Sequence, residues 1–221
     1  MDWNNIARTI SDHLGEAFVL ERSSSIGGGC INSAYRLQGN GKSFFIKLNS
    51  AERLDMFEAE ADGLAEMAAA QAIRVPLPVC SGVEGHQAYL VMEYIETGGG
   101  AAGVMQQFGR QLANMHRYCN ERFGWHRDNT IGSTQQINDW SDNWLDFWRE
   151  HRLGFQLELA ARNGAGRGLQ AKGEQLMQQM HQLFSNYQPL ASILHGDLWS
   201  GNYAISRDAE PVIFDPAVYY G

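Results

Sequence analysis

The chain has 221 residues, of which 44% are hydrophobic and 19% charged, enough apolar material for one or two compact lobes. Its 17 basic and 25 acidic residues give a formal net charge of −8 without a polybasic stretch, which argues against a nucleic-acid partner. The N-terminus lacks a signal pattern and no apolar run approaches the roughly 20 residues that span a bilayer, so we expect a cytoplasmic protein with no membrane contact. Three cysteines without a C-x-x-C pair indicate neither a disulfide framework nor a zinc site.

The N-terminal region has the pattern of one amphipathic helix followed by strands. Apolar side chains recur at helical spacing from Trp3 to Leu14, and Gly15 is a typical helix stop. The turn Gly39-Asn40-Gly41 joins two short β-prone runs, as in a hairpin. The predicted elements are a helix over 3–16, a strand over 17–21, a small-residue loop over 23–32, and strands over 33–37 and 43–48.

Three successive glycines, Gly27, Gly28 and Gly29, lie in the predicted loop between strands. They indicate either a flexible turn or a backbone that approaches an anion closely, and the strand context favours the anion-binding loop. Cys30 follows them directly, where exposure and a positive local potential would favour the thiolate. We therefore consider Cys30 a candidate redox-sensitive thiol, with an inert small residue as the alternative.

Lys47 stands near the end of the third predicted strand, where an ammonium group can reach nucleotide phosphates. The following segment, 53–72, is helix-prone and carries Glu58 and Glu60, either of which could hold Lys47 in an extended rotamer. The alternative is a lysine on an edge strand that points to solvent.

A buried-strand pattern over 88–95 runs into a glycine-rich segment over 96–100, and this change of composition marks a hinge. The sequence therefore predicts an N-lobe over 1–95, a hinge over 96–100 and a helical C-lobe over 101–221. Within the C-lobe, helices are predicted over 101–118, 139–161 and 169–184.

The segment from Leu194 to Asn202, followed by Ile213-Phe214-Asp215, has the parts of a phosphoryl-transfer site. Asp197 and Asn202 are separated by four residues, as are the base and the metal ligand of the kinase catalytic loop. Asp215 follows an apolar, β-prone run and supplies a second oxygen ligand for Mg²⁺. The alternative for Asp197 is a turn-forming aspartate beside glycine, which the coincidence of the three residues disfavours.

These motifs resemble the fructosamine kinase / ketosamine-3-kinase family of the aminoglycoside phosphotransferase and protein-kinase-like superfamily. The resemblance extends from about residue 26 to 221 and includes the blocks 123–133, 150–157, 194–202 and 214–221. It implies an α+β, two-lobed protein-kinase-like fold with a small antiparallel sheet in the N-lobe and a mostly helical C-lobe. It also implies ATP and Mg²⁺ as cofactors, and phosphorylation of the 3-hydroxyl of ketosamines of the fructosamine or ribulosamine type. The acceptors are then small molecules or glycated lysines of proteins, and the role is protein deglycation and repair.

The same resemblance implies further nucleotide contacts. It favours Glu60 over Glu58 as the partner of Lys47. In kinase-like folds the connector after the last N-lobe strand offers backbone groups to adenine, so Glu93, Tyr94 and Ile95 are the candidate contacts.

Three residues are candidates for substrate recognition. Trp199 is two residues from Asp197, and its ring could form a floor for a sugar or an amine stem, or else belong to the core. Asp128 and Arg152 are polar members of the blocks that resemble the family. They could bond sugar hydroxyls or carboxylates, although ordinary ion pairs explain them equally well.

One departure is that members of this family typically continue past the segment that ends at Gly221, so the chain is expected to be truncated at its C-terminus. Exposed apolar surface would then encourage association, which makes a homodimer a candidate. The alternatives are a non-catalytic nucleotide-binding module, or a kinase of another small alcohol such as an aminoglycoside. Trp199 and the block 129–132 argue against the second of these.

Overall fold

The computed structural model describes residues 1–27, 32–100 and 102–221. No helix among these residues has the length and hydrophobicity that a bilayer-spanning helix requires. The helices are α1 (Trp3–Leu14), α2 (Leu54–Ala69), α3 (Val104–Met115), α4 (Trp144–Phe147), α5 (Phe155–Arg162) and α6 (Arg167–Leu183), with a 3-10 turn at Ala51–Arg53 and a π-helix at Trp148–Gly154. The strands are β1 (Arg22–Ile26), β2 (Ser33–Gly39), β3 (Lys42–Ser50), β4 (Pro78–Glu84), β5 (Gln87–Glu93), β6 (Cys119–Asn120), β7 (Asn129–Ile131), β8 (Thr134–Gln136), β9 (Ala191–Leu194), β10 (Tyr203–Ile205), β11 (Pro211–Ile213) and β12 (Tyr219–Tyr220).

The chain divides into two compact units. The first comprises Met1–Met115 and Asp197–Pro216, and the second comprises His116–Gly196 and Ala217–Gly221. The predicted lobes over 1–95 and 101–221, with a hinge over 96–100, stay a prediction.

A five-stranded antiparallel sheet in the order β1-β2-β3-β5-β4 forms the centre of the first unit. Its middle strand, β3, pairs with β2 and β5, so that Lys47 lies opposite Ala34 on one side and Leu90 on the other. An interior strand has neighbours on both edges, and its side chains are correspondingly buried. The small antiparallel N-terminal sheet of the prediction is confirmed.

Helix α1 packs on this sheet through one apolar stripe. Ile6 and Ile10 are fully buried against Leu37, Ile46 and Val91, and burying each such side chain contributes about 1.5–3 kcal/mol. The helix begins at a cap in which the Asp2 carboxylate accepts from two backbone N–H groups, and it ends at Gly15 with a left-handed φ of 69°.

The predicted strand over 17–21 was wrong, because the first strand begins at Arg22. The Asn40 side chain accepts from the Val19 N–H and donates to the Ala17 carbonyl. These backbone groups thus bond a side chain of the hairpin turn and do not pair with a neighbouring strand. Strand β4, which contains a proline and a register shift, was not predicted.

The second unit combines a three-stranded sheet, ordered β12-β9-β6, with the β7–β8 hairpin and helices α4 to α6. The continuous helix predicted over 139–161 is instead α4, the seven-residue π-helix and α5. A side chain at Gly154 would place its Cβ 2.7 Å from the Arg149 carbonyl oxygen, so glycine suits the wider π turn.

Candidate active site

Lys47 stands at the centre of a group of charges in the first unit. Its side chain projects from β3 and is only 7% exposed. The Nζ atom donates to Oε1 of Glu60, on α2, at 2.5 Å, and it also donates to Oδ1 of Asp215. Two carboxylates from distant parts of the sequence therefore hold one buried ammonium.

Burial and charge act in opposite directions on this group. Burial alone disfavours the ammonium, but Glu60 and Asp215 outweigh it, so the pKa of Lys47 lies above its ordinary value. Burial raises the pKa of Glu60, and the Lys47 charge offsets only part of that rise. Lys47 is therefore cationic at neutral pH, with its charge directed at this cluster.

Asp215 follows β11, the partner of β10 in a two-stranded sheet. Its φ of 58° is left-handed, which is unusual for a residue other than glycine and is seen at functional sites. Its carboxylate is 46% exposed although one oxygen contacts Lys47. The Asp215 carboxylate can therefore still accept a contact from a ligand.

Asn202 connects the loop after Asp197 to the segment that carries Asp215. Its Nδ2 donates to the Asp197 carbonyl at 2.8 Å, to Asp197 Oδ2 at 3.1 Å and to the Asp215 carbonyl at 3.4 Å. The Phe214 N–H donates to the Asn202 carbonyl at 3.1 Å. The buried amide thus fixes Asp197 and Asp215 relative to each other through one side chain.

This donor set fits a hard cation such as Mg²⁺. The Nδ2 group of Asn202 is engaged with Asp197, which leaves Oδ1 as the ligating atom, and Asp215 adds a half-exposed carboxylate. Within the described ranges there is no group of three His, Cys, Asp or Glu residues that could hold a metal alone. Waters and phosphate oxygens would have to complete the coordination, as is usual for Mg²⁺ at nucleotides.

The predicted glycine loop is described only in part. Gly27 has open space around the position of a Cβ, whereas Gly28, Gly29 and Cys30 lie outside the described residues. Beyond the loop, the Asn49 Nδ2 donates to Oδ1 of Asn32 at 2.7 Å. Sequence reasoning missed this pair, although the period of two along a strand places Asn49 on the same face as Lys47.

The predicted adenine contacts lie at the end of β5 and just after it. Glu93 forms an ion pair with Arg74, a contact that no sequence signal suggested. The Arg36 guanidinium lies 4.1 Å from the centre of the Tyr94 ring, and Ile95 is half-buried. Their contact with adenine stays a prediction.

Trp199 is 60% exposed, so it is not a core side chain. A Cβ at Gly201 would overlap the indole ring, which shows that the ring lies over the backbone of its own loop. The glycine permits this close approach.

Asp128 and Arg152 belong to the second unit. Asp128 accepts from the Asn138 N–H at 2.8 Å and from the Gln135 side chain at 3.1 Å. Arg152 donates from Nη2 to Oδ1 of Asn138 at 2.6 Å and from Nη1 to the Ile137 carbonyl at 2.6 Å. Both side chains thus hold the segment around residue 138.

The Arg152 guanidinium is also packed between two aromatic rings, 4.5 Å from the centre of Phe147 and 4.0 Å from that of Tyr219. Burial lowers the pKa of Arg152 from its ordinary value. Its Nε is buried without a hydrogen-bond partner among the residues that the structure describes.

Comparison with known proteins agrees with this geometry. Residues 2–221 match the fructosamine kinase family model. A probable ketoamine kinase of Synechocystis is 46% identical over 220 residues, covering 99% of this chain and 74% of that protein. A chloroplastic protein-ribulosamine 3-kinase of Oryza sativa is 45% identical, covering 94% of this chain and 61% of that protein.

Solved structures show the same fold. A candidate fructosamine-3-kinase from Haemophilus somnus superposes with a TM-score of 0.87 at 26% identity, covering 99% of this chain and 73% of that one. An aminoglycoside phosphotransferase in ternary complex with ADP and hygromycin B gives 0.65 at 12% identity, over 98% and 73% of the two chains, and so supports the fold alone.

The fold is therefore the α+β protein-kinase-like fold, and the chain is a phosphotransferase of that class. More specifically, it belongs to the fructosamine kinase family, whose members are ketosamine-3-kinase-like enzymes. The family resemblance, the fold class and the enzyme class predicted from the sequence are confirmed.

Proposed function

We propose that the protein uses ATP to phosphorylate the 3-hydroxyl of ketosamines. The observation that carries the proposal is the buried Lys47, held by Glu60 and Asp215, beside an amide that links Asp197 to Asp215. The names of the relatives, a ketoamine kinase and a protein-ribulosamine 3-kinase, support the acceptor class.

In this proposal the nucleotide lies under the glycine loop at residues 27–29, and Lys47 binds its phosphates. Asn202 Oδ1 and the Asp215 carboxylate would hold Mg²⁺, which neutralises charge on the transferring phosphoryl group. Binding the phosphates requires Asp215 to share its carboxylate between Lys47 and the cation, which its half-exposed position allows.

Asp197 orients the acceptor hydroxyl and takes its proton. The Asn202 amide donates to one carboxylate oxygen of Asp197 at 3.1 Å, which restricts the rotamer of that side chain. General-base assistance of this kind contributes about 10²–10⁴ in rate, and positioning and charge neutralisation contribute the rest.

On the acceptor side, Trp199 is proposed to provide an apolar surface, since its ring is exposed two residues from Asp197. Asp128 and Arg152 are proposed as the polar contribution, acting through the segment around Asn138 that both bond. Small ketosamines and glycated lysines are the proposed acceptors, and protein deglycation is the proposed role.

The test is ADP release over a panel of fructosyl-, ribulosyl- and erythrulosyl-amines, with aminoglycosides as controls. The proposal expects turnover on at least one ketosamine and none on the aminoglycosides. ATP binding without ADP release on any ketosamine would instead indicate a non-catalytic nucleotide-binding module, and turnover on an aminoglycoside alone would indicate a different acceptor.

A further inference from the structure

An open cavity of about 300 Å³ lies within the second unit. One wall is the hairpin formed by β7 and β8, and the opposite wall is the π-helix with the start of α5. Gly196 and Tyr219 complete the lining. Gly196 immediately precedes Asp197 in the chain.

The π-helix gives the cavity its side chains. Such turns are rare and often occur at functional sites, because the extra residue per turn redirects the side chains. Trp148, His151 and Arg152 line this cavity, whereas Arg149 and Glu150 line a different pocket. One helical turn therefore separates two different chemical environments.

The walls of the cavity are mostly aromatic and polar. None of its lining residues within the described part of the chain is Asp or Glu. Arg152 carries the permanent charge, but Nη1 and Nη2 already bond protein oxygens. What faces a ligand is a set of aromatic rings and hydrogen-bonding side chains, namely Trp148, Phe155, Tyr219, Thr134, His151 and Gln156. The pocket on the other side of the helix, by contrast, contains three glutamates.

Apolar rings alternating with neutral donors and acceptors match a polyhydroxyl compound, which has C–H faces and hydroxyl edges. A cation is disfavoured because the Arg152 guanidinium lines the cavity and, among the described residues, no carboxylate does. The volume corresponds to about ten water molecules at ~30 Å³ each, which leaves enough room for a five- or six-carbon sugar.

We propose that this cavity binds the polyhydroxyl chain of the acceptor, with Thr134 and His151 as specificity-determining residues that hydrogen-bond its hydroxyls. The identity of the ligand as a ketosamine sugar rests on the proposed function, whereas the preference for a neutral polyol rests on the walls of the cavity. Both residues are half-buried in the lining, where a hydrogen bond is shielded from water.

The test measures binding of fructose, which is a neutral polyhydroxyl sugar, to the full chain by NMR titration without nucleotide. Thr134→Val removes a hydroxyl at nearly constant shape, and His151→Phe keeps an aromatic ring beside Phe147, whose ring centre lies 5.5 Å away. Gln178→Ala, in the glutamate-lined pocket, is the matched control. Each of the first two changes is expected to weaken binding about 3- to 10-fold, the range for one neutral hydrogen bond, with ADP binding unchanged. The control is expected to change nothing.

The proposal is overturned if the unaltered protein shows no saturable sugar binding, or if Thr134→Val leaves the affinity unchanged. It is also overturned if Gln178→Ala causes an equal loss. Binding that depends on Thr134, in a protein that phosphorylates no ketosamine, would refute the proposed function and leave this site standing. Turnover with an unchanged ketosamine KM in the Thr134→Val protein would refute this binding site and leave the proposed function intact.

Discussion

Replacing Glu60 by Gln tests whether its carboxylate positions Lys47. The Lys47–Glu60 pair has a separation of 2.5 Å with side-chain exposures of 7% and 11%, so it is a buried ion pair. Removing one partner of such a pair lowers the free energy of unfolding by about 3–5 kcal/mol. Asp215 still contacts the ammonium, which places the loss at the lower end, about 3 kcal/mol. The kcat/KM for ATP is expected to fall as well, about 10- to 100-fold, which is the usual effect of removing a partner that orients a functional side chain.

The assay is the initial rate of ADP release at saturating ketosamine and varied ATP. Glu58→Gln is the matched control, because Glu58 is an exposed glutamate on the same helix, two residues away. We expect it to stay within about twofold of the unaltered protein, as surface changes usually do. Equal losses in the two variants, or a Glu60→Gln protein with normal kcat/KM, would refute the reasoning. A thermal melt of each variant separates a lost contact from a lost fold.

Three further predictions concern a glycine before the catalytic loop, a buried thiol and an exposed aromatic ring. Gly196→Ala is expected to lower the free energy of unfolding in urea by about 3 kcal/mol or more, because the φ of Gly196 is 79° and a Cβ would overlap the Ala217 carbonyl. The control Gly109→Ala lies in open space on α3 and should instead raise the free energy of unfolding by about 0.5–1 kcal/mol. Burial raises the pKa of the Cys80 thiol from 9.0 to about 12, so between these values the thiol ionises in the unfolded chain but not in the folded one. The free energy of unfolding should therefore fall as the pH rises through this range. An equally steep fall in the Cys80→Ala protein would contradict this. Trp199→Ala should raise the ketosamine KM about tenfold with the melting temperature almost unchanged, since the ring is 60% exposed, and a lower melting temperature with normal KM would indicate a packing role.

The strand and the helix around Lys47 were predictable because their signals are local. The β-prone run after the Gly39-Asn40-Gly41 turn predicted the strand that carries Lys47. The helix-prone segment after it carried two candidate glutamates, and the family resemblance favoured Glu60. The spacing of Asp197, Asn202 and Asp215 likewise predicted a phosphoryl-transfer loop. The structure connects these three residues by hydrogen bonds of the Asn202 side chain. What these residues do in turnover stays a prediction.

Features that depend on long-range contacts were not predictable. The segment 17–21 has β-prone residues, but the Asn40 side chain, more than 20 residues away, takes up its backbone groups. Apolar spacing over 139–161 cannot distinguish an α-helix from a helix with a π turn, since both keep one face apolar. Arg152 lies in that π-helix, so its hydrogen bond to the Ile137 carbonyl could not be predicted either.

The central claim is that Asp197 accepts the proton of the acceptor hydroxyl at a site that binds nucleotide independently of it. The most direct measurement compares kcat on a ketosamine with the ADP dissociation constant in the Asp197→Asn protein. The account predicts that kcat falls by about 10²–10⁴ while ADP binding changes less than about threefold, because Lys47 and Glu60 are intact. Turnover close to that of the unaltered protein would contradict it.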